Sequence, residues 1–311
     1  MISRRNIRVK VMQVIYERLT RESLDEKYDP VQNLRSLLNK TTDLFVYLVY
    51  FLTRVAQYAE TDAKLRALKN LPTEEDLHVN TKLAGNELLW RIIESPSFKQ
   101  ATAQGKCDLP ETTEMVRRIY TDLTNTEEYQ QYIQQQDRKK ESEKDILEFI
   151  FNSMMLPNEI FTAHVEEYFS NWDDDIMMLQ QLVLTYLQRP GSYNLQQITG
   201  EEKWKFAKDL LQTTLEKREY AFSLIKPKLH NWDPDRIAAL DMILMQMGVC
   251  EFLYFETIPP KVTINEYIDL AKEYSTPQSG QFVNGILDNI HKDLLSQNKI
   301  HKVDFKQKST H

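Results

Sequence analysis

Seven glycines in 311 residues leave this chain few places where the backbone can turn through positive φ without cost or lie close against a phosphate. Folds that depend on glycine-rich phosphate loops or on many tight β-turns are therefore disfavoured. Runs of Leu, Gln, Glu, Lys, Met and Ala point instead to helices. Hydrophobic residues make up 41% of the chain, enough to fill a core, and the length suits one large or two medium domains.

Cys107 and Cys250 lie far apart and match no zinc or redox spacing, which suits plain thiols in a reducing compartment. The first nineteen residues are basic but carry neither an unbroken apolar run nor a small-residue cleavage site, so they do not read as a signal peptide. The most apolar stretch, Leu44 to Leu52, is bounded by Asp43 and Arg54 and is far short of the roughly 20 residues a membrane helix needs. A soluble, cytoplasmic protein without a membrane partner is the expectation.

The net charge of −7 argues against a polyanionic ligand until its distribution is considered. Arg4, Arg5, Arg8, Lys10 and Arg18 face only Glu17 among the first twenty residues. Lys292, Lys299, Lys302, Lys306 and Lys308 face only Asp293 and Asp304 among the last twenty. Two basic ends on an acidic body suggest a local anion site.

Periodicity predicts helix after helix. Ile7, Val11, Val14, Ile15 and Leu19 form one apolar stripe, and Ser3 is a candidate N-cap that places Arg4 and Arg5 in the first turn. The macrodipole there disfavours cations, but the free N–H groups accept an anion. Asp29-Pro30 signals the start of a long helix through Leu34, Leu37, Leu38, Leu44 and Leu48. Pro72, Gly85, Gly105 and Pro110 divide the following region into short helices and loops. Thr126 to Asp145 is polar enough to be an exposed helix or a linker. Asp173, Asp174 and Asp175 read as a turn and N-cap before a helix ending at Arg189-Pro190-Gly191; a cation site is the weaker alternative. After Gly200 one helix is predicted from Trp204 to about Leu229, then a Trp232-Asp233-Pro234 turn. A strongly apolar helix follows through Ile237, Leu240, Ile243, Leu244, Met247, Cys250 and Leu253. Next comes an amphipathic one with Ile264, Tyr267, Ile268 and Ala271 inward. After a break at Ser275-Thr276-Pro277, a last helix buries Val283, Ile286, Leu287 and Ile290.

Two segments carry a resemblance. One is Arg4-Arg5-Asn6-Ile7-Arg8 with the following Gln13-Val14-Ile15-Tyr16. The other is Ile258-Pro259-Pro260-Lys261-Val262-Thr263-Ile264-Asn265-Glu266, then Asp269-Leu270-Ala271-Lys272, then Phe282-Val283-Asn284-Gly285-Ile286-Leu287-Asp288. In order and spacing they resemble the NusB family, and Phe206 to Pro227 is similar to that family's third helix. The resemblance covers residues 1–20 and 201–292. It implies an all-α bundle of two packed three-helix subdomains, here carrying an inserted helical region over residues 21–200 and followed by a basic, flexible tail over 293–311.

The resemblance also implies a role. NusB proteins bind the boxA element of nascent single-stranded RNA together with the ribosomal protein NusE, join the RNA polymerase elongation complex, and support antitermination and rRNA transcription. They catalyse nothing and use no cofactor or metal, and some form homodimers. Carried over, Arg4, Arg5 and Arg8 are RNA contacts whose planar forks suit phosphate, and Phe282 is expected to stack on a base. Gln281 joins them where the family usually has a basic residue, while Asn6 replaces a frequent arginine and Gln278 a frequent acid. Tyr16 and Glu251 match partner-facing positions. Lys261, Asn265 and Glu266 read as structural. Gly285, costing about 1 kcal/mol inside a helix, is expected to permit close helix packing or close RNA approach.

Rival readings are weaker. No HExxH, P-loop or GxSxG is present, and the six histidines are scattered. An RNA methyltransferase carrying a NusB-like module would need a glycine-bearing cofactor loop on a βαβ unit, which residues 21–200 lack. A helical scaffold that keeps the ribosomal-protein contact without RNA remains the main alternative, favoured by the acidic body.

Overall fold

The computed structural model describes residues 2–20, 28–104, 107–191, 194–229 and 237–303, and every regular element among them is helical. Gly105, the Trp232-Asp233-Pro234 turn, and Lys306 and Lys308 of the tail lie outside the described residues. Two compact units are formed: Met1–Ile2 with Asn39–Gly200, and Ser3–Leu38 with Glu201–His311. Residues 28–38 thus group with the second unit and not with the insertion expected from residue 21. Among the described residues, no helix is long and apolar enough to cross a membrane.

Helix α1 (Arg4–Thr20) opens as the sequence suggests, with the Ser3 hydroxyl accepting the Asn6 amide at 3.1 Å. It does not bury a single stripe, however. Every residue from Asn6 to Met12 is buried, Arg8 and Lys10 included. Helix α2 (Pro30–Ala67) starts at the expected Asp29-Pro30 signal, with the Asp29 carboxylate accepting the Val31 amide at 2.8 Å.

In the first unit, the rest of α2 is followed by α3 (Glu74–Leu77), α4 (Glu87–Glu94), α5 (Pro96–Gln104), α6 (Thr112–Thr124), α7 (Glu127–Gln134), α8 (Lys140–Phe149), α9 (Glu159–Tyr168) and α10 (Trp172–Gln188). A π-helical turn, Ile150–Met155, extends α8. The apolar stretch of α2 is the core of this unit. Phe51 lies 4.6 Å from the ring of Phe161, and Tyr47 lies 5.2 Å from that of Phe169.

The polar stretch from Thr126 is not a linker. Tyr129 and Tyr132 are buried on α7, and the Tyr132 hydroxyl donates to the buried carboxylate of Glu143 at 2.8 Å. Glu143 also accepts the Glu87 amide at 2.7 Å, so one carboxylate ties α8 to the start of α4. The aspartate triplet lies inside the first turn of α10, not ahead of it. Asp175 is fully buried and accepts from Thr41 at 2.7 Å and Asn171 at 2.6 Å. Among the described residues no group of three or more His, Cys, Asp or Glu could hold a metal ion.

The second unit is a bundle of α1, the start of α2, α11 (Glu201–Glu216), α12 (Arg218–Ile225), α13 (Ala239–Tyr254), α14 (Pro260–Tyr274) and α15 (Ser279–Ser296). The single helix expected to reach Leu229 is interrupted at Lys217, whose backbone leaves helical geometry, and it ends in a 3₁₀ turn at Lys226–Lys228. Helix α13 is central, packing on α1, α11, α12, α14 and α15. It is buried without a break from Ile243 to Phe252, as a helix apolar on all sides must be. Gly248 allows that density, because a Cβ there would sit 2.9 Å from Leu287 Cδ2 and 3.4 Å from Tyr267.

Inward residues on α14 are Thr263, Tyr267, Leu270 and Ala271, while Ile264 and Ile268 are only half-buried. The break before α15 falls at Ser275-Thr276-Pro277. Ser279 there accepts the Thr276 amide at 3.2 Å and donates to the buried Asp241 carboxylate at 2.8 Å.

Candidate nucleic-acid interface

The arginine helix presents its cations unequally. Arg4 and Arg5 have side chains 36% and 39% exposed, whereas Arg8 is 2% exposed. Arg4 meets Glu202 at 3.0 Å and lies 5.4 Å from the centre of the Phe206 ring. Arg5 meets Glu273 at 2.8 Å and Asp269 at 3.7 Å. Both keep open donors in their guanidinium forks, and both lie where the first turn of α1 directs N–H groups outward.

Arg8 and Glu251 require a correction. They were expected on an RNA face and on a partner face, but here they bind one another inside the bundle. Arg8 Nε donates to one Glu251 oxygen at 2.7 Å and its terminal nitrogen to the other at 3.1 Å, a bidentate pair. Glu251 is wholly buried and also accepts from the Tyr267 hydroxyl at 2.8 Å and the Thr263 hydroxyl at 3.0 Å. Glu266 completes the set, accepting from Arg8 at 3.1 Å. Burial opposes the charge on Arg8, but Glu251, Tyr267 and Glu266 together outweigh it, so the guanidinium is held above its usual range. Burial and then the Glu251 charge push the Tyr267 phenol well up. The geometry makes this cluster a structural joint between α1, α13 and α14.

The remaining candidates lie nearer the surface. Tyr16 is 41% exposed on α1. Gln281 is exposed and Phe282 half-buried in the first turn of α15. Gly285 does not serve packing, since a Cβ added there would meet nothing within 4 Å. A glycine that does serve packing is Gly248, which no local sequence signal singles out.

Sequence reasoning also missed the course of the C-terminal segment. Asn298 ends α15 in the left-handed region with φ 53°, and Lys299 N–H closes onto Leu294 O at 2.9 Å. The chain then folds back on α13. Lys302 Nζ donates to the Glu251 and Phe255 carbonyls at 2.8 and 2.7 Å, and Val303 N–H donates to Glu256 O at 3.1 Å. An ammonium on the last carbonyls of a helix satisfies unpaired acceptors and suits the macrodipole. Burial lowers Lys302 to about 8, against the pull of Glu251 and Glu256. The flexible tail expected from residue 293 is thus partly ordered: Asp293–Ser296 belong to α15, and residues 299–303 form a strap.

Both cysteines are buried, with thiols pushed up to about 11 for Cys107 and about 12 for Cys250 by burial, which leaves them poor nucleophiles.

Comparison with known proteins overlaps the bundle without coinciding with it, since the family match includes residues 161–200 of the first unit and does not include α1. The model of the NusB family matches residues 161–292. A transcription antitermination protein NusB of Finegoldia magna is 38% identical over 110 residues, covering 33% of this chain and 80% of that protein. Its counterpart in Salinibacter ruber is 46% identical over 97 residues, covering 31% of this chain and 61% of the relative. The NusB of Chloroherpeton thalassium is 47% identical over 72 residues, covering 23% and 34%. The chain therefore spans less than two thirds of the latter two relatives. No solved structure matches the chain.

Proposed function

This chain belongs to the NusB family, and from that premise we propose that it is a non-catalytic antitermination factor. In this reading it binds boxA-type single-stranded RNA together with the ribosomal protein NusE and joins the RNA polymerase elongation complex in the cytoplasm. Holding an RNA strand and a protein at once lets each raise the apparent affinity of the other. The observation that carries the reading is the first turn of α1, where Ser3 caps the helix and Arg4 and Arg5 remain partly accessible. Phe282 and Gln281 would supply a stacking surface and a hydrogen-bonding amide, and Tyr16 a rigid contact for the ribosomal partner.

A second reading has a specific observation behind it. Arg4, Arg5 and Arg8 together face Glu202, Asp269, Glu273, Glu251 and Glu266, so carboxylates outnumber the arginines. A protein-only scaffold would look like this. The two readings are separated by anisotropy of labelled boxA-type RNA, with and without the ribosomal partner, over a salt series. An RNA factor shows tighter binding with the partner, and at least tenfold weaker binding on the double substitution Arg4→Ala, Arg5→Ala. Partner association without RNA binding at any salt would establish the scaffold instead.

A further inference from the structure

We propose that the opening of α11 belongs to the RNA-binding face, with Lys203 as a phosphate contact beside Arg4 and the Arg35–Trp204 stack as a platform for a base. The proposal rests on the RNA-binding reading above and adds to it a surface that neither α1 nor α15 supplies.

Three observations carry it. The first is a crowding of like charges. Arg4 reaches Glu202 at 3.0 Å, and the Arg4 and Arg8 guanidiniums lie 5.4 and 5.7 Å from the centre of the Phe206 ring. Lys203 precedes Phe206 by three residues and so shares its face of α11. The Lys203 ammonium thus stands beside two guanidiniums, and among the described residues it forms no ion pair or hydrogen bond. Burial and then Arg4 lower its pKa, Glu202 opposes them, and Arg8 adds to the lowering. A phosphate bridging Arg4 and Lys203 replaces this repulsion with charge-assisted hydrogen bonds.

The second is a stacked pair. Arg35, at the start of α2, is exposed, and its guanidinium lies 4.7 Å from the centre of the half-buried Trp204 ring. Among the described residues Arg35 forms no ion pair, so its N–H fork is unused. Aromatic and guanidinium planes are the groups on which unpaired bases stack, and the fork suits phosphate. Lys203 and Trp204 are consecutive, about 100° apart around the helix, a spacing that suits neighbouring nucleotides.

The third is charge balance. A polyanion needs surplus positive charge, and Arg4, Arg5 and Arg8 are already outnumbered by the carboxylates they meet. Lys203 and Arg35 add two cations in the same unit, neither of them neutralised by a carboxylate at ion-pair distance.

The test uses the full chain with labelled single-stranded boxA-type RNA and a salt series. Lys203→Ala and Arg35→Gln should each weaken binding by about three- to fivefold at low salt. Each should lower the slope of log affinity against log salt by about 0.7, one phosphate apiece, and the double variant by about 1.4. Because Lys203→Ala relieves repulsion from Arg4 and Arg8, it should melt no lower than the parent. A purely structural lysine would give the opposite result, a lower melting temperature with an unchanged slope. As a control, Lys64→Ala with Lys99→Ala removes two exposed cations of the other unit and should change neither affinity nor slope. Unchanged affinity and slope in the Lys203/Arg35 double variant, while Arg4→Ala, Arg5→Ala still weakens binding, would overturn the proposal and leave the RNA reading in place. An equal weakening in the control would overturn it as a net-charge effect. Loss of the ribosomal partner with RNA binding intact would also overturn it, assigning this face to a protein. Failure of the intact chain to bind RNA at any salt would overturn both readings.

Discussion

Removing the Glu251 carboxylate should damage the bundle far more than removing any surface charge. Glu251→Ala leaves Arg8 buried, with only Glu266, itself 28% exposed, to balance it. It also strips the acceptor from the Tyr267 and Thr263 hydroxyls. Breaking one side of a buried ion pair costs about 3–5 kcal/mol, because the survivor stays desolvated and uncompensated. Each stranded hydroxyl adds about 1 kcal/mol, less whatever the site recovers by relaxing. Replacing both partners, as Arg8→Met with Glu251→Leu, removes the uncompensated charge, so the double variant should be more stable than Glu251→Ala. A coupling of at least about 2 kcal/mol is expected across the cycle. Native-state hydrogen exchange of amides in α1 and α13 is the suitable assay, since it reports opening of this unit by itself. If Glu251→Ala keeps those amides within about 1 kcal/mol of the parent, the carboxylate is not the joint described, and a surface role for Arg8 and Glu251 returns.

Other outcomes follow from single positions. Gly248→Ala should destabilise the bundle by about 1–3 kcal/mol in chemical denaturation, because its methyl would press on Leu287. Gly285→Ala should stabilise it by about 1 kcal/mol, since the new methyl meets nothing; a simultaneous drop in RNA affinity would mark that position as a place of close RNA approach. His164 is buried against Tyr47 and Tyr168, and burial lowers its pKa despite Glu167 and Glu111. The unfolded state therefore takes up the proton first, so stability falls as pH drops below about 6.5, by at most about 1.4 kcal/mol per unit, until the folded-state pKa is passed. Thermal melts at pH 7.5 and 5.5 should show a smaller acid penalty in His164→Phe than in the parent.

Local signals were legible in the sequence and long-range pairings were not. Ser3, Asp29-Pro30 and the Ser275-Thr276-Pro277 break act within a few residues, and each marks a helix boundary in the structure. Arg8 illustrates the limit. Its surroundings in sequence favour a surface cation, and what draws it inward is a carboxylate 243 residues away. The same holds for the tail: a basic segment after the last periodic helix reads as solvated, and only the open carbonyls at the end of α13 give Lys302 a place to dock. Glycine was misread for a similar reason. Gly248 is demanded by the neighbouring helix and Gly285 is not, a difference invisible along either helix alone. The polar run from Thr126 was underestimated because tyrosines with satisfied hydroxyls bury well despite a polar composition.

The pairing of Arg8 with Glu251 also sets an order of events during synthesis. At roughly 5–20 residues per second, the ribosome needs about 12–50 s to make the 243 residues that separate them. The residues of the other unit are completed within that interval, while α1 still lacks the helix that covers it. An isolated 17-residue helix is marginal in water, and this one has two cations, Arg8 and Lys10, that are buried only in the finished bundle. Helix α1 therefore lacks the carboxylate that compensates Arg8 until α13 has been made.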